Sequence, residues 1–120
     1  MLNLDTHILV RALDGRLTTR ERALLQAHPW GISAMVLWEL HALVRRGRLQ
    51  MSLDDPDFLD VLRHCTVWPV DVEVARATAL LDFQSDPADE LIAATSLVHH
   101  VPLLTRDAVL LGSDVVPLAM

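Results

Sequence analysis

Apolar residues along this chain alternate between short continuous runs and segments with helical spacing. The runs have the length and composition of buried strands, and they cover Leu2–Leu4, Trp30–Ile32, Val67–Val70, Val101–Thr105 and Val115–Leu118. Helical segments separate them, which predicts an α/β fold with a short, central, mostly parallel sheet flanked by helices. Pro69 cannot donate a ladder hydrogen bond, so its strand is expected to be short or to lie at a sheet edge.

Polar capping residues predict where the helices begin. Asp5 or Thr6 begins the first helix, and Thr18 with Glu21 has the spacing of a capping box before the second. Ser33 begins a longer helix that runs to about Gly47. The remaining helices are expected to begin at Asp54–Pro56, Asp71 and Asp86–Pro87, with a helical turn over Ala108–Leu111.

Composition narrows the class of protein. With 120 residues, 52% of them hydrophobic, the chain is expected to form one domain over residues 1–120. The single cysteine, Cys65, excludes an intramolecular disulfide and suits a reducing compartment. No stretch of 18 residues is free of charges, so we expect a cytoplasmic protein without a membrane segment. The mean hydropathy of +0.31 suggests apolar surface that a partner or a second copy covers.

The charge of the chain limits how it could bind nucleic acid. The formal net charge is −6, so any contact with nucleic acid must be a local patch. All ten basic residues are arginine, which excludes a phosphate-binding loop lysine and a Schiff-base lysine.

Four acidic residues are candidates for a ligand site, which in such folds lies outside the carboxyl ends of the strands. Asp5 and Asp107 follow predicted strands, Asp89 lies in the first turn of a helix, and Glu39 is the only charge between Ser33 and Val44. Capping, the helix dipole or an exposed flank would each explain one acid alone. If the four converge, a divalent cation is needed to offset their repulsion. Oxygen ligands favour Mg²⁺ or Mn²⁺, which suits hydrolysis of a phosphodiester by metal-activated water.

The chain resembles the PIN-domain ribonucleases, and among them the VapC-type toxins of toxin-antitoxin pairs. The resemblance spans the whole chain in the family's order, and its motifs are Leu4–His7, Ile32–Ala34 with Leu37–Glu39, Asp86–Asp89 with Leu91–Thr95, Leu104–Asp107 and Val116–Leu118. Glu90 and Val36 depart from the pattern, because many relatives have an arginine and a small hydroxyl residue there.

The resemblance implies a function and a set of site residues. It implies a Mg²⁺- or Mn²⁺-dependent endoribonuclease that cuts RNA, is inhibited by a cognate antitoxin and forms a homodimer. The residues that it implies are the catalytic and metal-binding acids Asp5, Glu39, Asp89 and Asp107, with Thr6, Ser33 and Thr105 as supporting hydroxyls.

Several arginine and tryptophan residues could contact RNA, but each could also have a purely structural role. Arg106, Arg45 and Arg46 are candidate RNA contacts, and Arg48 belongs to the same basic segment as the last two, although that segment also suits a helix C-terminus. Trp30, Trp38 and Trp68 could stack on bases, but each lies within an apolar element and is expected in the core.

Two other functions remain open at this stage. One is a PIN-fold binding module with weak or no catalysis, which Glu90 and the apolar composition favour. The other is a phosphatase similar to the haloacid dehalogenases with Asp5 as nucleophile, which would require a second aspartate where this chain has His7.

Overall fold

The computed structural model describes residues 1–120 and contains a four-stranded parallel sheet. The strands are β1 (Leu2–Leu4), β2 (Trp30–Ser33), β3 (Cys65–Trp68) and β4 (Leu103–Leu104), in the order β3-β2-β1-β4. Seven α-helices flank the sheet: α1 (Thr6–Asp14), α2 (Thr19–Ala27), α3 (Ala34–Arg45), α4 (Pro56–Arg63), α5 (Val72–Ala77), α6 (Pro87–His99) and α7 (Ala108–Leu111). The predicted fold class is confirmed, and none of these helices combines the length and apolarity needed to cross a membrane.

The helix starts follow the predicted caps. Thr18 and Glu21 form both hydrogen bonds of a capping box, from Thr18 N to Glu21 Oε1 at 2.9 Å and from Glu21 N to Thr18 Oγ1 at 3.1 Å. Ser33 Oγ accepts from Met35 N at 3.1 Å, and Asp71 Oδ1 accepts from Val74 N at 2.9 Å. Because these side chains replace hydrogen bonds that a helix cannot supply to its own first turn, the sequence marks each start.

The last predicted strand is wrong, and three others have different bounds. Within Val115–Leu118 only Leu118 joins the sheet, through one isolated parallel bridge to Leu103. Pro117 lacks the N–H that would extend this pairing. Strand β3 lies at the sheet edge, as predicted, but ends at Trp68 because Pro69 removes the next donor.

Helix α6 packs against β2, α3 and α5, and a buried amide joins it to β1. Asn3 is fully buried, and its Nδ2 donates to Ile92 O at 3.0 Å and to Ser96 Oγ at 2.9 Å. Ile92 lies about one turn after Asp89, and Asn3 lies two residues before Asp5. This polar contact therefore fixes the position of α6, which carries Asp89, relative to β1, which precedes Asp5.

The three tryptophans do not share one environment. Trp68 is buried and stacks on His99 of α6, with ring centroids 5.2 Å apart, while Trp30 is partly buried and donates from Nε1 to Leu25 O at 2.8 Å. The expectation that Trp38 packs in the core is wrong, because 61% of the residue is exposed. Helix α3 buries Val36 and Leu40, and position 38 points away from that face, half a turn from each.

Trp68 also explains Gly31 in β2. A Cβ atom at Gly31 would lie 2.3 Å from Cη2 of Trp68, which is far inside van der Waals contact. We expect Gly31→Ala to lower the free energy of unfolding by about 1–3 kcal/mol, measured by urea denaturation. In a Trp68→Leu background, which makes room for the methyl group, the loss is expected to shrink by at least about 1 kcal/mol. Purely additive effects would contradict this packing.

Candidate metal centre

The strand order creates a crevice between the ends of β1 and β4. The chain leaves β1 towards β2 and β3, and then returns to place β4 on the other side of β1. Ligands in open α/β sheets bind at such a reversal, outside the carboxyl ends of the strands. Asp5 follows β1 directly and Thr105 follows β4 directly, and Thr105 Oγ1 donates to Asp5 Oδ2 at 2.7 Å across the crevice.

Three of the four predicted acids meet at this crevice. Asp5, Glu39 and Asp89 each contribute one carboxylate oxygen to a set in which all three atoms lie within 4.8 Å of one another. Asp5 is buried, whereas Glu39 on α3 and Asp89 in the first turn of α6 are half-buried. One cation could contact all three oxygens, and carboxylates are the ligands that Mg²⁺ and Mn²⁺ prefer.

Neutral donors hold each acid in place. Asp5 Oδ1 accepts from Thr6 N at 2.8 Å, and the Thr6 hydroxyl donates to Glu39 Oε1. The Ser85 hydroxyl donates to Asp89 Oδ2 at 2.8 Å. Of the three predicted hydroxyls, those of Thr6 and Thr105 thus contact the acids, whereas the Ser33 hydroxyl caps the first turn of α3.

Sequence reasoning missed Ser85, although a serine four residues before Asp89 at a helix start was an available signal. Glu90 lies outside the three-acid set, and its Oε2 accepts from Ser85 N at 3.0 Å. Its place beside the third acid is therefore explained by the turn that leads into α6.

Burial and mutual repulsion raise the pKa of two of the acids in the crevice. Burial raises the pKa of Glu39, the Thr6 hydrogen bond opposes the rise, and Asp5, Asp89 and Asp86 add to it. The pKa of Asp89 is also raised, first by burial, with Ser85 opposing and Asp5, Asp107 and Asp86 contributing. A divalent cation would offset this repulsion, so the residues fit such an ion.

Asp107 stands outside the three-acid set. Its Oδ1 accepts from Val109 N at 2.8 Å and Leu110 N at 3.2 Å, which caps α7, and its own N–H donates to Thr105 Oγ1 at 3.0 Å. Its charge nevertheless contributes to the raised pKa of Asp89. The fourth predicted acid is therefore close enough to act on the site electrostatically.

The loop between β4 and α7 is held from outside the crevice. Arg106, a predicted RNA contact, donates from Nε to Glu21 Oε2 at 2.6 Å and from Nη2 to Glu21 Oε1. Its backbone N–H donates to His7 Nε2 at 2.9 Å, so the ring proton of a neutral His7 lies on Nδ1, 3.7 Å from Asp5 Oδ2. The Arg106 guanidinium is therefore paired with Glu21. This ion pair and the hydrogen bond to His7 together orient the loop.

Arg16, which was not predicted as an RNA contact, and Arg48 line the acid crevice. It is a cavity of about 290 Å³ whose walls include the three acids together with Arg16 and Arg48. Arg16 also forms an ion pair with Asp14 at 2.8 Å. Arg46 lines a neighbouring cavity, while Arg45 is exposed and lines neither.

Comparison with known proteins identifies the family of this fold and site. Residues 3–111 match the PIN domain family. Because this match covers most of the chain, the chain belongs to that family. The predicted family is thereby confirmed. No curated protein gives a significant match.

Solved structures from several bacteria share the fold. A chain in the crystal structure of VapBC2 from Rickettsia felis bound to a promoter DNA fragment has a TM-score of 0.77 and 19% identity, covering 99% of this chain and 98% of that one. A chain of a toxin-antitoxin complex from Klebsiella pneumoniae has a TM-score of 0.70 and 19% identity, covering 93% and 92%. A chain of FitAcB from Neisseria gonorrhoeae has a TM-score of 0.71 and 23% identity, covering 99% and 97%.

The raised pKa of Glu39 predicts that this acid destabilises the metal-free protein. A carboxyl group with a raised folded pKa loses its contribution to stability as the pH rises through that pKa. Glu39→Gln is therefore expected to raise the Tm in EDTA at pH 7 to 8, by about 4 °C per kcal/mol relieved. The gain should vanish near pH 4, and Glu73→Gln, at an exposed position of α5, is the control. An unchanged or lower Tm for Glu39→Gln in EDTA would contradict the assignment.

The Glu21–Arg106 pair predicts the opposite dependence on pH. The Arg106 hydrogen bonds lower the pKa of Glu21 from 4.5 to about 2. The stability from Glu21 is thus present above pH 4.5 and is lost as the pH falls towards 2. We expect Glu21→Gln to lower the free energy of unfolding at pH 7 by about 1.5–3 kcal/mol, and the difference from wild type to narrow steadily below pH 4.5. A difference that stays constant from pH 7 to pH 2.5 would show that the charge is unimportant.

Proposed function

We propose that this protein is a metal-dependent endoribonuclease and a VapC-type toxin. The observation that carries the proposal is the convergence of Asp5, Glu39 and Asp89 within 4.8 Å in a PIN domain. Nuclease activity is the general function of the PIN family. We assign Mg²⁺ or Mn²⁺ as the ion because the ligands are oxygen atoms.

Different side chains of the site have different roles in the proposed hydrolysis. Bound in the crevice, a divalent ion would favour ionisation of water and neutralise charge that develops on the phosphodiester. Asp5, Glu39 and Asp89 would hold the ion, and the hydroxyls of Thr105, Thr6 and Ser85 keep their oxygens in position. Asp107 lies near these acids, and its Oδ2 accepts no hydrogen bond from another protein group.

Arginines on the wall of the acid cavity supply phosphate contacts. Arg16 and Arg48 line the same cavity as the three acids, so they could bind phosphates beside the bond that is cut. They give an acidic protein of net charge −6 the local positive patch that RNA binding requires.

The proposal includes two protein partners. A chain of this fold occurs in the Klebsiella pneumoniae toxin-antitoxin complex, which supports a cognate antitoxin that inhibits the nuclease in the cytoplasm. A homodimer is supported by exposed apolar residues near the β3 edge of the sheet, Val67, Val70 and Val72. We propose that residues 1–120 act as one catalytic domain in this assembly.

Neither alternative gains support from the positions of Glu90 and His7. Glu90, which favoured a binding module without catalysis, serves the start of α6 instead of obstructing the site. His7, where the phosphatase would need a second aspartate, accepts the Arg106 N–H. Neither alternative has a geometric observation of its own.

Removal of one charge at the centre of the site tests the proposal. Wild-type protein freed of antitoxin is expected to cut single-stranded RNA at discrete positions with Mn²⁺ or Mg²⁺ and to be inactive in EDTA. Asp5→Asn keeps the shape of the side chain and should lower kcat/KM by at least about 100-fold. Mn²⁺ should raise the Tm of wild type but raise that of Asp5→Asn much less.

Asp54→Asn, at an exposed aspartate outside the crevice, is the matched control and should cut RNA like wild type. Folded wild type that neither cuts RNA nor gains stability from either ion would overturn the proposal. Equal cutting by Asp5→Asn would point to a contaminating nuclease.

A further inference from the structure

Glu39 lies between two cavities rather than at the end of one. It lines the acid cavity with Asp5 and Asp89, and it also lines a second cavity of about 440 Å³. The second cavity has apolar walls from Met35, Trp38 and Pro87. The two cavities share a residue, so together they extend the crevice to the far side of Glu39.

Trp38 is the most exposed aromatic side chain of the protein, because Trp30 is partly buried and Trp68 is buried. Exposure of 61% leaves much of a large apolar ring in water, one residue from a candidate metal ligand. Arg46 lines the same cavity and is exposed, which places a cation on the wall of the cavity that the ring also lines. An aromatic face beside a cation is the combination that binds single-stranded nucleic acid.

We propose that Trp38 and Arg46 form a nucleotide subsite for single-stranded RNA, in which a base next to the cleaved bond stacks on Trp38 and its phosphate binds Arg46. The inference rests on the proposed nuclease function and specifies its substrate as unpaired RNA. Continuity through Glu39 leads the strand from this subsite into the acid cavity, where Arg16 and Arg48 meet further phosphates.

The chemistry of the cavity fixes the orientation of the nucleotide. Asp86 also lines it, and the Asp86 carboxylate makes no capping hydrogen bond. A phosphate is repelled by this carboxylate and attracted by Arg46, whereas N–H groups on a base edge can donate to Asp86. A base within a duplex is stacked and paired on both sides, so it cannot reach Trp38 without being extruded.

The test measures binding separately from cutting. Fluorescence anisotropy in Mg²⁺ would use a single strand of about ten nucleotides, with 2′-O-methyl groups that block cleavage, and the matching duplex. We expect Trp38→Ala to weaken single-strand binding, and to raise KM for cleavable RNA, by about 5- to 150-fold with kcat unchanged. Trp38→Phe, which keeps an aromatic face, should stay within about threefold of wild type.

Two further variants isolate the roles of charge and of surface hydrophobicity. Arg46→Gln should lower the slope of log Kd against log salt by about 0.7, the value for one phosphate contact on a single strand. Leu80→Ala removes a similarly exposed apolar side chain that lines neither cavity, and it should bind like wild type.

The outcomes separate this inference from the nuclease proposal. If wild type cuts RNA and Trp38→Ala binds and cuts it equally well, the subsite is wrong while the nuclease stands. If wild type does not cut but Trp38→Ala still weakens single-strand binding, the subsite stands and the nuclease fails. An equal loss of duplex binding overturns the subsite. A loss that affects only a purified antitoxin would also overturn it, and would assign Trp38 to a protein interface.

Discussion

Repulsion among three carboxylates is the constraint on which the rest of this structure depends. Asp5, Glu39 and Asp89 come from three different elements, and burial together with their mutual charge raises the pKa of two of them. A fold that places like charges together loses stability unless an ion or other charge compensates. The surrounding structure therefore has to hold the acids from outside.

Rigid contacts around the crevice do this without neutralising the acids. Hydroxyl groups donate to each carboxylate, and the buried amide of Asn3 joins β1 to α6. The one strong ion pair near the site, Glu21 with Arg106, lies beside the acids rather than among them. Negative charge thus stays available for a cation, while Arg46 and Arg48, which form no ion pair, remain free to meet an anionic substrate.

This division also explains how an acidic protein could bind RNA. The net charge of −6 opposes binding over the surface as a whole, but Arg16, Arg48 and Arg46 line the two cavities that meet at Glu39. A divalent cation bound in the crevice would make the local charge more positive. Binding would then be confined to the strand segment that reaches the metal, which favours cutting at a few positions over general coating of RNA.

The sequence by itself determined the elements, the class of fold and most of the site. Caps such as Thr18 and Ser33 act within a single turn, so local residues suffice to place a helix start. Asp5 follows β1 and Glu39 lies on the helix that follows β2, so the common direction of the strands explains why these two acids reach one edge of the sheet. Asp89 reaches the same edge through the packing of α6.

Only the tertiary structure decided the partners of long side chains and the exposed face of α3. Arg106 reaches Glu21 across 85 positions of sequence, and Ser85 rather than Ser33 reaches an acid. Trp38 faces solvent because the packing of Val36 and Leu40 sets the rotation of its helix. Such choices depend on which surfaces meet after the chain folds, and an apolar helix with several candidate faces does not reveal them beforehand.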